Sequence, residues 1–264
     1  LAQAARGVEL REIDIRTAPD AEKALLDAMD RDTRLLSVSA VQWSDGFRLD
    51  LERLGIACRE RNVLFFVDAI QQLGALPMDV ESCHVDFLAA DGHKWLLAPE
   101  GIAVFYCRDS AREQIALTQQ GWHMVDQPWN FDRNEWVPSG SASRFEAGSP
   151  NTVGQAALHA SVSLLLEQDM SRVGRRVLNN TDFLLTEIGA GTGLQICSRK
   201  EPLRRSGIMS FRHDRLSSAD IYQNLQAAGV SCAVREGSIR LSPHFYQGES
   251  ELGQFLEILQ DVIG

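Results

Sequence analysis

Lys94 lies in the stretch ADGHKWLLAPEG (90–101), directly after an apolar run, between His93 and Trp95. A lysine at the end of a strand, beside apolar residues, loses hydration. That lowers its pKa and makes its amine a usable nucleophile toward a carbonyl, with a Schiff base as the product. Most lysines are solvated surface groups, so the position alone does not decide. Asp68 closes the run VLFFVDAI (63–70), where an acidic residue reads either as a cap or turn former or as a buried carboxylate that needs a cationic partner. A protonated pyridine nitrogen is such a partner, and the pairing lets pyridoxal phosphate act as an electron sink. Gln71, three residues on, reaches toward the same ligand. Asp68, Gln71 and Lys94 on successive strand ends are far more specific together than any one alone. His93 reads as a satisfied core histidine or as an acid/base group beside the lysine. Arg240, in SIRLSPHFY (238–246), sits in a strand-like run, either as a solvated edge residue or as a bidentate clamp for a carboxylate. Arg235 has a weaker version of the same claim.

These residues need a scaffold. Over the first 110 residues, short β-rich runs alternate with amphipathic stretches: VELREIDI (8–15) as a strand, DAEKALLDAMD (20–30) as a helix, then RLLSVSAV (34–41), the helix LDLERLGIACRERN (49–62) and VLFFVDAI. VDFLAAD (85–91) and GIAVFYC (101–107) follow as further strands. The alternation predicts an α/β domain with a mostly parallel sheet, whose ligands gather at the carboxyl ends of the strands. Residues 118–152 hold three of the five tryptophans among many Gly, Pro and Ser. So long an irregular segment inside a compact domain is more often functional or interfacial. Helices at 153–168 and about 171–188 lead into a smaller α+β unit of strand–strand–helix–strand–helix order. The expected organisation is a large domain over 1–160 and a small C-terminal domain over 161–264.

Composition removes several classes of function. Net charge is −10 with no dense Lys/Arg tract, which disfavours nucleic acid and anionic membranes as partners. No apolar run approaches the roughly 20 residues of a membrane helix, and the first residues show no signal-peptide pattern. Five widely spaced cysteines without a Cys-x-x-Cys pair fit reduced thiols in a cytoplasmic protein. The six histidines are equally scattered, so no metal is expected. GAGTG (189–193) follows a helix and precedes a strand. It therefore reads as a helix stop, not as a phosphate loop, which would follow a strand and open a helix.

With VDAIQ (67–71), ADGHKWLLAPEG (90–101), RFEAGSPN (144–151) and IRLSPHFY (239–246) in this order and spacing, the chain resembles the class V aminotransferases. These are fold-type-I pyridoxal-phosphate enzymes that include cysteine desulfurases, selenocysteine lyases, C–S lyases and isopenicillin N epimerases. The resemblance implies pyridoxal 5'-phosphate as cofactor, held on Lys94 as an internal aldimine, with Lys94 later carrying the substrate Cα proton. It implies that Asp68 pairs with the pyridine nitrogen, that Gln71 bonds the ring hydroxyl, and that His93 sits beside the attached cofactor. Ser149 takes the place of the family's usual Thr, which contacts the cofactor phosphate of the partner subunit in a dimer. Arg240 and Arg235 are implied to bind the carboxylate of a small amino-acid substrate.

Several positions depart from the family. Trp43 stands where many members have an Asn, and Asp91 where many have a Ser near the phosphate. Cysteine desulfurases of this type carry a nucleophilic Cys on a loop after the segment matching VSCAVREG. Here VREG runs straight into SIRLSP, so a Cys-loop desulfurase is disfavoured and an aminotransferase, C–S lyase or epimerase is expected. Cys232 reads as a packed thiol. The family's phosphate-binding turn has no counterpart in the sequence, which is expected to be a fragment, a truncated product or part of a longer protein. A reading of a different class follows: a catalytically inactive remnant that dimerises or binds a partner through 118–138.

Overall fold

The computed structural model describes residues 3–264. Four strands form the first sheet in the order β1-β2-β3-β4: β1 (Leu35–Ser39), β2 (Leu64–Asp68), β3 (Phe87–Asp91) and β4 (Ala103–Cys107). β1–β2 and β2–β3 are parallel, whereas β4 returns antiparallel to β3 with Asp91 opposite Ala103. Helix α1 (Ala21–Asp27) starts at an N-cap Asp20 whose side chain accepts the Lys23 N–H. Helix α2 (Leu51–Glu60) starts in the same way, with Asp50 accepting from the Arg53 N–H at 3.0 Å. Leu51, Leu54, Gly55 and Cys58 give α2 a buried stripe at helical spacing. It packs on the sheet around Leu54, Phe65, Val67 and Val85, all buried. A short helix α3 (Asp109–Arg112) ends this part of the chain.

Residues 8–15, read above as a strand, form no ladder with any strand among the described residues: they run without regular structure, with Val8 and Leu10 exposed and Ile13 and Ile15 leaning on the core. Alternating apolar residues supply a face to bury but no ladder of partners, and a strand needs both. The tryptophan-rich segment is irregular, as its composition predicts. Two short 3-10 turns, Trp122–Met124 and Ala142–Phe145, bracket an excursion. Bonds from Asp126 N–H to the Val137 carbonyl and from Ser139 N–H to the Met124 carbonyl close it.

Helix α4 (Thr152–Glu167) is capped by Asn151, and α5 (Met170–Ala190) by Asp169. GAGTG ends α5, with no strand before it. The second sheet is antiparallel throughout, in the order β5-β6-β8-β7: β5 (Leu194–Ile196), β6 (Met209–His213), β7 (Ala233–Arg235) and β8 (Ser238–Leu241). Helices α6 (Ser218–Ala227) and α7 (Glu249–Ile263) cover it. Where the expected order has a single strand between the two helices of the small unit, residues 233–241 form a hairpin of two strands. Glu236 and Gly237 both take positive φ, 50° and 74°, as a two-residue hairpin turn requires. A third core joins the two sheets: Val41, Ala75, Leu76 and Trp95 pack with Leu165, Val173, Val177 and Ile208.

Candidate active site

The site gathers at the carboxyl ends of β2 and β3. β2 stops at Asp68 and β3 at Asp91, and Lys94 rides on the turn that β3 opens. The turn is closed by Leu97 N–H on the Lys94 carbonyl at 3.0 Å, Ala98 N–H on Gly92 and Gly92 N–H on Ile102. Leu97 takes φ +60° within it, a strained value for a side-chain-bearing residue.

Trp95 fixes the turn from below. It is buried, and its Nε1–H donates to Gln71 Oε1 at 3.0 Å. Its carbonyl accepts from His244 Nε2 at 3.1 Å, and its ring lies 5.0 Å from the imidazole. His244 Nδ1 accepts the Phe245 N–H at 2.8 Å, so the ring is neutral with its proton on Nε2. Burial lowers its pKa below the ordinary histidine value, against the opposing bond to Trp95. Two glycines make room for Trp95. A Cβ on Gly74 would lie 2.3 Å from the Trp95 carbonyl oxygen, and one on Gly207 would lie 2.4 Å from the indole ring.

Lys94 itself is half-buried, and its ammonium has no hydrogen-bond or ion-pair partner among the described residues. Burial lowers its pKa first, and Arg240 and Arg235 push the same way, while Asp68 and Asp91 oppose them. These four charges therefore act on one amine. Asp68 accepts the Ile70 N–H on Oδ1 at 3.0 Å and has only a 3.4 Å contact from Ser39 on Oδ2, which leaves an oxygen for a cation. Arg240 is pinned by Nη1 donating to the Trp43 carbonyl at 2.7 Å, and its buried Nε has no partner. Burial and the nearby Arg235 lower its pKa.

Asp68, Lys94, Arg240 and Arg235 thus come together. Gln71 joins them through Trp95, with its Oε1 already engaged. His93 is exposed on the turn, and no bond ties Asp91 to it. Ser149 is exposed just before α4, where Asn151 Nδ2 donates to the Gly101 carbonyl at 3.0 Å. Trp95 and His244 are the supporting residues that the sequence reading passed over. Both stand in quoted motifs, and the signal was a histidine and a tryptophan inside otherwise apolar runs.

An unpartnered amine, a half-free carboxylate and an orphaned guanidinium Nε suit a ligand with an electrophilic carbonyl, a cationic ring nitrogen and a carboxylate nearby. The residues present therefore fit pyridoxal phosphate. A probable cysteine desulfurase of Methanothermobacter thermautotrophicus is 25% identical over 277 aligned residues, covering 96% of this chain and 68% of the relative. The uncharacterized aminotransferase YcbU of Bacillus subtilis is 30% identical over 84% of this chain and 57% of its own length. The chain therefore spans between 57% and 68% of the length of these curated relatives. Among solved structures, the cystine C–S lyase C-DES, in complex with cysteine persulfide, superposes with a TM-score of 0.89 at 26% identity, covering 98% of this chain and 70% of that one. A cysteine desulfurase from Thermococcus onnurineus NA1 shares the fold, with a TM-score of 0.88 at 22% identity, over 99% of this chain and 68% of its own. The sequence pattern of the aminotransferase class-V family matches residues 1–252, and with the lysine turn and its charged surroundings in place, the chain belongs to that family of pyridoxal-phosphate enzymes.

Proposed function

We propose that this chain supplies the lysine-bearing part of an enzyme acting at Cα and Cβ of a small amino acid, as an aminotransferase or C–S lyase. The observation that carries the reading is the half-buried, unpartnered Lys94 amine under the opposed fields of Asp68 and Arg240. Pyridoxal phosphate, when bound, supplies an electrophilic carbonyl and a ring that withdraws electrons from Cα. Lys94 Nζ would hold the cofactor, and its free amine would be the base for the Cα proton. Asp68 Oδ2 keeps the ring nitrogen protonated. Gln71 keeps its Oε1 on Trp95 and presents its amide nitrogen to the ring hydroxyl. His93 would sit beside the attached cofactor as an acid/base group, Arg240 and Arg235 would take the substrate carboxylate, and Ser149 would serve the cofactor phosphate of a second subunit in a homodimer.

Two observations support an activity other than Cys-loop desulfuration. The β7–β8 connection is a two-residue turn, too short for a loop that carries a nucleophile. Cys232, just before it, is half-buried, and burial raises its thiol pKa, which opposes the thiolate that persulfide formation needs. A C–S lyase activity is the one named for the structural neighbour C-DES. We divide the chain at 160/161 into a cofactor-binding and a small domain, supported by the separate cores of the two sheets. No helix among the described residues is long and apolar enough to cross a membrane. The five unpaired cysteines suit a cytoplasmic setting.

The test is absorbance of the purified protein with added pyridoxal phosphate, followed by borohydride and peptide mapping. The expected result is attachment to Lys94 that Lys94→Ala abolishes. Equal attachment in Lys94→Ala, or none in either protein, overturns the reading. A second reading, a non-catalytic dimerising protein, draws on the exposure of Trp129 (70%) and Phe131 (79%). It predicts no Lys94-dependent attachment, together with self-association that Trp129→Ser weakens in sedimentation.

A further inference from the structure

Trp43 touches both candidate carboxylate-binding arginines, by different means. Its carbonyl accepts Arg240 Nη1 at 2.7 Å, and the Arg235 guanidinium carbon lies 5.9 Å from the centre of its indole ring. The two arginines stand on neighbouring strands, Arg235 on β7 and Arg240 on β8, where their charges repel. Something outside the second sheet must hold them close.

The loop carrying Trp43 is built to stay still. Gln42 N–H donates to the Phe47 carbonyl at 2.8 Å and Gly46 N–H to the Gln42 carbonyl at 3.0 Å. Ser206 Oγ donates to the Gly46 carbonyl at 2.8 Å and Ser198 Oγ to the Asp45 carbonyl at 2.5 Å. The loop whose Trp43 carbonyl receives Arg240 is therefore held by its own backbone bonds and by Ser198 and Ser206. With Nη1 taken, the Nε–Nη2 edge of Arg240 remains, and its Nε is buried without a partner. That edge is the fork that binds a carboxylate with two parallel hydrogen bonds. Trp43 is 44% exposed, so an amino acid seated by its carboxylate on Arg240 would have an aromatic surface beside its side chain.

We infer that Trp43 is a positioning and selectivity residue: it sets Arg240 and Arg235 as one receptor for a single carboxylate and offers its indole to an apolar or thioether side chain. The inference rests on the assignment of Arg240 under Proposed function and names the substrate class for that site. A second carboxylate on the substrate would meet the indole and not a free cation. Arg235 is spent on the ring and on the shared carboxylate, its Nη1 bonding the Val234 carbonyl at 2.9 Å.

The test is equilibrium binding of unreactive carboxylates to the purified protein by NMR titration. The probes are propionate, 3-(methylthio)propionate and succinate, on the wild type, Trp43→Phe, Trp43→Ala and Arg240→Ala. The expected wild-type result is 3-(methylthio)propionate binding roughly fourfold or more tighter than propionate, the worth of about one buried methylene, with succinate no better than propionate. Trp43→Ala loses that preference and weakens propionate by roughly twofold to fivefold, the worth of an exposed cation–π contact. Trp43→Phe keeps most of both. All variants at position 43 retain the backbone carbonyl, so Arg240 keeps its anchor. If binding depends on Arg240 but succinate is tightest, or Trp43→Ala binds like the wild type, the inference about Trp43 fails alone. If no carboxylate binds in an Arg240-dependent way, the site assignment fails and the inference falls with it.

Discussion

At the scale of single residues, burial lowers the pKa of two groups at the candidate site, Lys94 and His244. The pKa of Lys94 is lowered, chiefly by burial, so its free amine is populated at lower pH than that of an exposed lysine. Attachment of pyridoxal phosphate is expected to reach half its maximum at a pH below 10.5, the ordinary lysine value. Measuring borohydride-trapped protein across a pH series checks this, and a midpoint at or above that value would count against a desolvated amine. His244 works through stability. Its folded-state pKa lies below the ordinary 6.5, so above about 6.5 both folded and unfolded states are neutral there and the full stabilisation is present. As pH falls below 6.5, the unfolded chain takes up a proton that the folded chain resists, and stability drops toward the lower folded value. The urea midpoint is expected to fall between pH 7.5 and 5.5, and His244→Gln to flatten that fall. Lys94, Asp68 and Arg240 were legible in the sequence because a charge ending an apolar run is a local anomaly. The bond between Trp95 and His244 was not, because its partners lie 149 residues apart and each side chain also fits a plain core.

Elements place these residues by their ends and their close approaches. The carboxyl ends of β2 and β3 were readable from alternating apolar runs and from Asp caps, because both signals are local. The strand expected at 8–15 failed for the opposite reason, since pairing is a property of a neighbour. The β7–β8 hairpin was missed because Glu-Gly is a weaker turn signature than Asn-Gly or Asp-Gly. Gly74 is a sharper case. It takes φ +92°, and a Cβ there would strike the Trp95 carbonyl. Gly74→Ala is expected to cost at least about 1–2 kcal/mol from the left-handed backbone alone, and more from the clash. Urea denaturation measures the loss. Because the clash falls on the turn bearing Lys94, cofactor attachment at sub-denaturing urea is expected to fall too.

Across the whole molecule, distant segments are held by a buried ion pair. Glu22 on α1 is fully buried and accepts Arg204 Nη2 at 2.8 Å and the Asp50 N–H at 2.7 Å. Burial pushes its pKa up, but these bonds outweigh it and the net shift is down. Arg204→Ala would leave that carboxylate only the Asp50 N–H and Arg53 at 3.9 Å, at a cost of up to about 3–5 kcal/mol, and thermal unfolding should register it. A loss under about 1 kcal/mol would mean that the carboxylate relaxes to water. No sequence pattern announces this pair, whose members stand 182 positions apart.

The antiparallel return of β4 onto β3 has a consequence for the order of assembly. Lys94 sits in a connection, 92–102, between strands that are neighbours in sequence, so the ring it closes is small and its closure entropy low. Arg240 meets the Trp43 carbonyl across 197 residues. A chain emerging from the ribosome therefore completes the amine-bearing turn long before β8 exists to bring the guanidinium. In pulsed hydrogen exchange during refolding, amides of 87–107 should gain protection ahead of those of 239–241. Under the roles proposed for Lys94 and Arg240, the nascent protein would be equipped to hold its cofactor before it could admit a substrate.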